Sequence, residues 1–370
     1  MNIPEPYASR VKAVRRSMTR AGIRGLLVTR PENRRYLSGY TARDTQIDES
    51  SGRLLVTPGR QYLVTDFRYR TQAEVEARGY EVVMSGPEAA RTIGELARRT
   101  RLKSLGYEED LITVKFFEAL HRELPDIPIE PAAGLLSDLR LLKDAGEIKK
   151  IRRALGLTEK ALRETWAFLK PGRTEIEVAR FLEEAMVRLG AEGPAFESIV
   201  ASGPNAALPH AVPTRRKIGS GETIIFDCGA RLDGYGADIS RTIVLGRPKS
   251  WIKTIYRLVR QAQLTAIRGI KPGLTSDRAD ALARDVIEAA GFGPNFGHAL
   301  GHGVGMATHE APALSRFRST RLEPGMVVTV EPGIYIEGRG GVRLEEMVMV
   351  TEKSVRLLNR DRTFYEWPEP

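Results

Sequence analysis

The chain has 370 residues, more than one compact core usually holds, so two domains are expected. A hydrophobic share of 42% beside 28% charged residues excludes a disordered, fibrous or low-complexity protein. The net charge of +10 raises a nucleic-acid role, but the arginines are interleaved with acids (Arg98-Arg99, then Glu108-Glu109-Asp110), and no basic tail or aromatic-interleaved basic strand accompanies them, so no nucleic-acid partner is expected.

In chain order, the apolar spacing of Val11, Val14, Met18 and Ala21 predicts a helix over 7–21, closed by Gly22. Gly25 to Thr29 reads as a buried strand. Leu54 to Val56 and Tyr62 to Val64, joined through Pro58-Gly59, read as a hairpin. A helix over 67–77, a strand over 82–84 and a helix over 92–99 follow, so residues 1–142 are expected to form an α/β domain. The boundary falls near 140–145. Beyond it a long charged helix over 143–169 stops at Lys170-Pro171-Gly172, and a second over 175–189 ends at Gly190. Helices over 251–270 and 276–290 repeat that pattern, and strands dominate 199–244 and 325–355. Helices alternating with long hairpins predict an α+β domain over 143–370, its helices covering one face of a curved, mostly antiparallel sheet.

Histidine is scarce, five in all, and four of them (His210, His298, His302, His309) fall between 210 and 309; His121 stands apart as an ordinary structural residue. The apolar run Ile224-Ile225-Phe226 delivers Asp227 from a buried strand, and Asp238 returns after Asp233-Gly234. A two-residue turn at Asp233-Gly234 places Asp227 opposite Ser240 with Asp238 diagonal to it; a one-step shift places the two aspartates directly opposite. Either register crowds two carboxylates on one face, which favours protonation or a bridging cation. Val327 to Val330 likewise delivers Glu331, and Glu345 returns after a Gly-rich turn. These two share a face only if the turn has an odd residue count or a bulge. Between the hairpins lies Gly301-His302-Gly303, whose glycines permit close backbone approach. Alone, each element is an ordinary turn or core feature. Together, four carboxylates and one imidazole form an oxygen-and-nitrogen set for manganese, cobalt, iron or zinc, and four negative charges match two divalent ions. Cys228 neighbours Asp227, but alternation points it to the other face as a packed thiol.

These motifs resemble the pita-bread metallopeptidases: methionine aminopeptidase, aminopeptidase P, prolidase and the metal-free creatinase. The resemblance is carried by Ser202-Gly203-Pro204-Asn205, Pro209-His210, the Asp227/Asp238 hairpin, Gly301 to Gly305, Val330 to Gly333 and Val342 to Glu346. Tyr36 to Tyr40 and Asp66 to Tyr69 are similar to the leading domain of creatinase, prolidase and aminopeptidase P. All five ligand positions are filled here, which points to the proline-directed peptidases. The resemblance implies that Asp227 chelates one metal, that Asp238 and Glu345 bridge two, and that His302 and Glu331 complete the second. Glu331 then also serves as general base, His210 and His309 as catalytic hydrogen-bond donors, and His298 and Arg343 as substrate-side residues. It implies two divalent metals (manganese foremost, with cobalt or zinc as alternatives), short peptides with proline second as substrates, and a homodimer. The departures are Met306 and Thr308, where Leu and Val are expected, and Arg34 in place of an apolar residue. A catalytically inactive binding protein on the same fold, and a basic nucleic-acid-binding protein, are the other two classes. No export-like start and no bilayer-length apolar run are read from the chain, and the single Cys228 fits a reducing interior, so a cytoplasmic protein without a membrane partner is expected.

Overall fold

Short apolar runs broken by Gly and Pro become strands, and longer amphipathic runs become the helices that cover them. The computed structural model describes residues 3–44, 46 and 49–361. It divides into two units, Met1–Arg140 and Leu141–Pro370. In the first, six strands form one mixed sheet in the order Glu81–Met84, Gln61–Thr65, Arg53–Val56, Gly25–Val28, Leu105–Tyr107, Ile129–Pro131. The two pairings around Arg53–Val56 are antiparallel and the others parallel. Leu27, Leu55, Tyr62 and Val64 on this sheet pack with Ile93, Leu96 and Leu120 from the helices Ala89–Arg99 and Val114–Glu123. The helices Pro31–Ser38, Val114–Glu123 and Gly134–Leu141 go beyond what apolar spacing marks out. Arg34 is fully buried, and it donates to Asp44 and to the carbonyls of Ala42 and Gly52, so a cation stands where an apolar residue was expected because its donors meet acceptors.

In the second unit, the helix Ala145–Phe168 packs on Glu175–Arg188, and Ser250–Gly269 packs on Ser276–Ala289. The first two open with reciprocal caps, Asp144 with Glu147 and Thr174 with Glu177, each satisfying two otherwise orphaned N–H groups. Every strand pairing in this unit among the described residues is antiparallel. One sheet runs Ile239–Val244, Thr223–Cys228, Ile199–Ser202, and another runs Glu310–Leu314, Gly301–Gly303, Val327–Val330, Glu346–Val350, Val355–Leu357. Val328, Val330, Leu344 and Val348 turn into a core shared with Val259, Ala262, Ala266, Ala283 and Ile287 of the second helix pair. The α/β and α+β halves are thus present, and no described helix is long and apolar enough to cross a membrane.

Candidate metal centre

The first carboxylate hairpin takes the two-residue turn. Leu232 pairs with Tyr235, so Asp233 and Gly234 form the turn, with φ of 51° and 80°. Both angles are left-handed, which Asp-Gly adopts at little cost. Asp227 consequently lies opposite Ser240. In the second hairpin, Val330 pairs with Glu346 and Gly333 with Arg343, one continuous register that sets Glu331 against Glu345. Ile336 pairs with Gly340, leaving 337–339 as a three-residue turn, the odd count a shared face requires.

Between those two stretches the ladder opens. Pro332 has no N–H to give. The Glu331 N–H instead donates to Leu300 O (2.9 Å) and the Glu345 N–H to Ser240 O (3.1 Å). The freed carbonyls of Val330 and Leu344 both accept from the side-chain amide of buried Gln263, at 3.2 and 2.8 Å. Gln263 therefore holds the backbone beside each of the two glutamates.

The four acids and the imidazole expected from the sequence converge. Oxygens of Asp227, Asp238 and Glu345 lie within 4.8 Å of one another. His302 Nε2 sits 3.3 Å from Glu331 Oε1 and 3.6 Å from Asp238 Oδ2. The hydroxyl of Thr329 accepts from the His302 N–H and donates to Glu331 Oε1 (3.0 and 2.9 Å), aligning the pair. Burial pushes Asp238 and Glu345 well above the usual carboxylate range, and repulsion among the four acids pushes them further. Burial also opposes charge on Glu331 and His302, but their mutual contact wins: Glu331 is held low and His302 is lifted to about 9. Asp227 Oδ1 is buried and has no hydrogen-bond partner. Crowded carboxylates with an unsatisfied buried oxygen, and no thiol among them, fit hard divalent cations. Cys228 is buried and directed to Ile239 O, and burial raises its thiol pKa, consistent with a packed residue.

The outer residues divide into two groups. Arg343 is buried and largely spoken for: it donates to Asp227 Oδ2 (2.8 Å), Ser240 Oγ (2.8 Å), Tyr335 Oη (2.9 Å) and Pro209 O (3.1 Å). His298 Nδ1 lies 2.7 Å from Ala299 O, and its Nε2 lies 2.9 Å from Tyr335 Oη. A carbonyl only accepts, so Nδ1 carries the proton and Nε2 receives the Tyr335 hydroxyl. Burial lowers the His298 pKa, in keeping with that neutral form. His210 and His309 are exposed. The rings of His309 and His302 are 4.2 Å apart, and the His309 pKa is lowered by burial and then by repulsion from His302. His210 lies close enough to act electrostatically on both His298 and His309. His121 is exposed in the first unit, edge-on to Phe117. Tyr335, Thr329, Ser240 and Gln263 went unmarked in the sequence. Only Ser240 carried a signal, as the residue facing Asp227 in one register.

Antiparallel hairpins from separate sheets that bring four acids and an imidazole together, one carboxylate oxygen unsatisfied, define a metalloenzyme. Residues 149–352 match the metallopeptidase family M24, and residues 10–142 the creatinase/prolidase N-terminal domain. An uncharacterized peptidase of Bacillus subtilis, YqhT, is 40% identical over 94% of this chain and 97% of its own length. Among solved structures, an Xaa-Pro dipeptidase from Bacillus anthracis superposes with a TM-score of 0.90 at 39% identity, covering 96% of this chain and 98% of its own. An X-Pro aminopeptidase from Thermotoga maritima gives 0.89 at 33%, covering 95% and 98%. The chain belongs to metallopeptidase family M24.

Proposed function

We propose that the chain is a dinuclear-metal peptidase that hydrolyses the bond between an amino-terminal residue and proline in short peptides, as an Xaa-Pro dipeptidase or aminopeptidase. The convergence of Asp227, Asp238, His302, Glu331 and Glu345 carries the proposal. Intact ligands disfavour an inactive binding protein. Asp227 is assigned to one metal, His302 and Glu331 to the other, and Asp238 and Glu345 to both, with residues 143–370 as the catalytic domain and 1–142 as the creatinase-like leading domain. When bound, the metal pair supplies activation of water and polarisation of the scissile carbonyl. Manganese is the proposed metal, on the oxygen-rich donor set, with cobalt or zinc as substitutes.

Glu331 takes the proton of the attacking water, its acceptor oxygen held by Thr329. His210 and His309, both exposed, donate to the developing oxyanion and to the departing proline nitrogen. That nitrogen bears no hydrogen in the amide and must be protonated to leave. His298 and Arg343 shape the substrate side through Tyr335, Asp227 and the Pro209 carbonyl. Short peptides with proline second, a homodimer, a cytoplasmic location, and no nucleic-acid or membrane partner complete the proposal, resting on the family resemblance, the interleaved charges and the lone cysteine.

The test compares an Xaa-Pro dipeptide with an Xaa-Pro-Yaa-Zaa tetrapeptide after chelation and after reloading with manganese, cobalt or zinc. Cleavage ahead of proline that disappears on chelation is expected. Failure to cleave either peptide under any metal overturns the proposal. Sedimentation of the purified chain decides the dimer.

A further inference from the structure

The loop that carries His210 leaves the strand Ile199–Ser202 and returns at Thr214, ahead of the strand that delivers Asp227. Ala206 and Ala211 seat it in a small core with Ile199, Ala201, Ile225 and Tyr335, and its internal hydrogen bonds are few. It has a 3-10 turn over Gly203–Ala207 and two backbone bonds, Leu208 N–H to Asn205 O and Ala211 N–H to Leu208 O. Leu208 and Val212, flanking Pro209-His210-Ala211, are 57% and 71% exposed. At both ends the loop is also gripped by one carboxylate. Glu175, the first residue of the helix Glu175–Arg188, is fully buried.

Its Oε1 accepts from the Ser202 N–H (2.7 Å) and hydroxyl (2.8 Å) where the loop begins. Its Oε2 accepts from the Asn205 side chain (3.0 Å), and from the Thr214 N–H (3.0 Å) and hydroxyl (2.6 Å) where the loop ends. Ser202 Oγ in turn accepts from Arg216, which pairs with Glu222 at 2.6 Å. Five donors on one side chain are more than any neutral residue can take; only a carboxylate offers two oxygens with about four lone pairs. An amide at this place has one acceptor oxygen, and its NH2 faces N–H groups that also donate.

We infer that Glu175 is a positioning residue for the hydrolysis: it spans the two ends of the loop and so sets where His210 stands over the acidic cage, while Arg343 holds the middle through Pro209 O. The inference rests on the role proposed above for His210 and names the group that enforces it. Glu175 bonds to Ser202, Asn205 and Thr214 and is not one of the five cage residues. It acts through the loop, and its removal therefore acts only where His210 matters.

The test is a double-mutant cycle on the metal-loaded full chain with an Xaa-Pro peptide, using Glu175→Gln, His210→Ala and both together. Glu175→Gln is expected to lower kcat/KM about 10- to 100-fold, the scale on which a misplaced catalytic group costs rate. Bound metal per chain, by elemental analysis, stays unchanged. Amide exchange quickens over 203–214 but not over Thr223–Cys228. In the His210→Ala background the same change is expected to cost less than about twofold more, because residues acting as one unit do not add. Effects that multiply, or wild-type kinetics from Glu175→Gln while His210→Ala is impaired, overturn the positioning role and leave the peptidase proposal standing. No cleavage by the wild-type chain sinks both. If Glu175→Gln does not fold, Thr214→Val, which deletes one donor and keeps the carboxylate, enters the same cycle with an expected loss of about 3- to 10-fold, and a loss undiminished by His210→Ala overturns the role.

Discussion

Glu331 answers to two demands, holding a cation and accepting a proton, and its surroundings serve both. Thr329 donates to one of its oxygens and His302 faces it at 3.3 Å, so the carboxylate stays ionised in a buried place. Glu331→Gln keeps the shape and removes the charge; turnover should fall by about 10²- to 10⁴-fold, the range for a lost general base. Turnover at the wild-type rate with normal metal content would refute the base assignment. Tyr335 offers a subtler case. Its hydroxyl accepts from Arg343 and donates to His298, so Tyr335→Phe leaves a buried guanidinium N–H and an imidazole nitrogen each short of a partner. Because Arg343 also steadies Asp227, kcat should fall about tenfold, on the scale of a lost buried hydrogen bond of about 1–2 kcal/mol. An unchanged kcat with an unchanged circular dichroism spectrum would show that the chain His298–Tyr335–Arg343 is idle.

At the scale of elements, the two hairpins were legible for one reason: an apolar run ending in a carboxylate is unusual, and it appears twice. What pattern alone left open was register, which turns decide. The Asp233-Gly234 turn narrowed the first hairpin to two registers because its chemistry is specific, whereas the turn at 337–339 stayed open, since a Gly-rich stretch fits several lengths. Gln263 was invisible because its partners, the carbonyls of Val330 and Leu344, lie 67 and 81 residues away. The helices Pro31–Ser38 and Val114–Glu123 were missed because neither shows an apolar stripe: the first buries Asn33, Arg34 and Ser38 beside Tyr36 and Leu37, and Leu120 is the one buried residue of the second. Gln263→Leu strands two buried carbonyls beside the paired glutamates. It should cost about 2–4 kcal/mol in denaturant unfolding and weaken metal binding, and an unaltered metal affinity would show that the open ladder holds without its brace. The Arg216–Glu222 pair gives a pH test. Burial raises the Glu222 carboxyl, but the Arg216 pair and the Gly219 N–H more than reverse this, holding it below its usual 4.5. A depressed folded pKa adds stability above the unfolded value and loses it as pH falls through the folded one. Glu222→Gln should therefore cost about 1–2 kcal/mol at pH 7, with the gap to wild type closing below pH 4.5. A gap that stays constant into acid would mean that shape, not charge, accounts for the loss.

For the molecule as a whole, the surplus of ten positive charges is spread among acids, while a dense concentration of negative charge lies inside, where the two hairpins meet. These hairpins come together through one backbone bond, Glu345 N–H to Ser240 O, and a set of side-chain bonds, not by a continuous ladder. Arg343 bonds to Asp227, Arg241 to Glu345 O, and Thr242 Oγ1 to the backbone of Arg343 on both sides. Such bonds work against the repulsion of four acids, and a cation reverses that repulsion without adding a single backbone contact. Metal loading should therefore stabilise locally. At a hundredfold excess over Kd the gain is about 2.7 kcal/mol, which for a unit of this size raises Tm by roughly 5–10 °C. Amide exchange should slow over Thr223–Cys228, Ile239–Val244 and 327–346, and stay as it was over Gly25–Val28 and Arg53–Val56, whose sheet has a separate core. Exchange that slows equally across both sheets, or bound metal with no slowing in the hairpins, would place the cations somewhere other than among these acids.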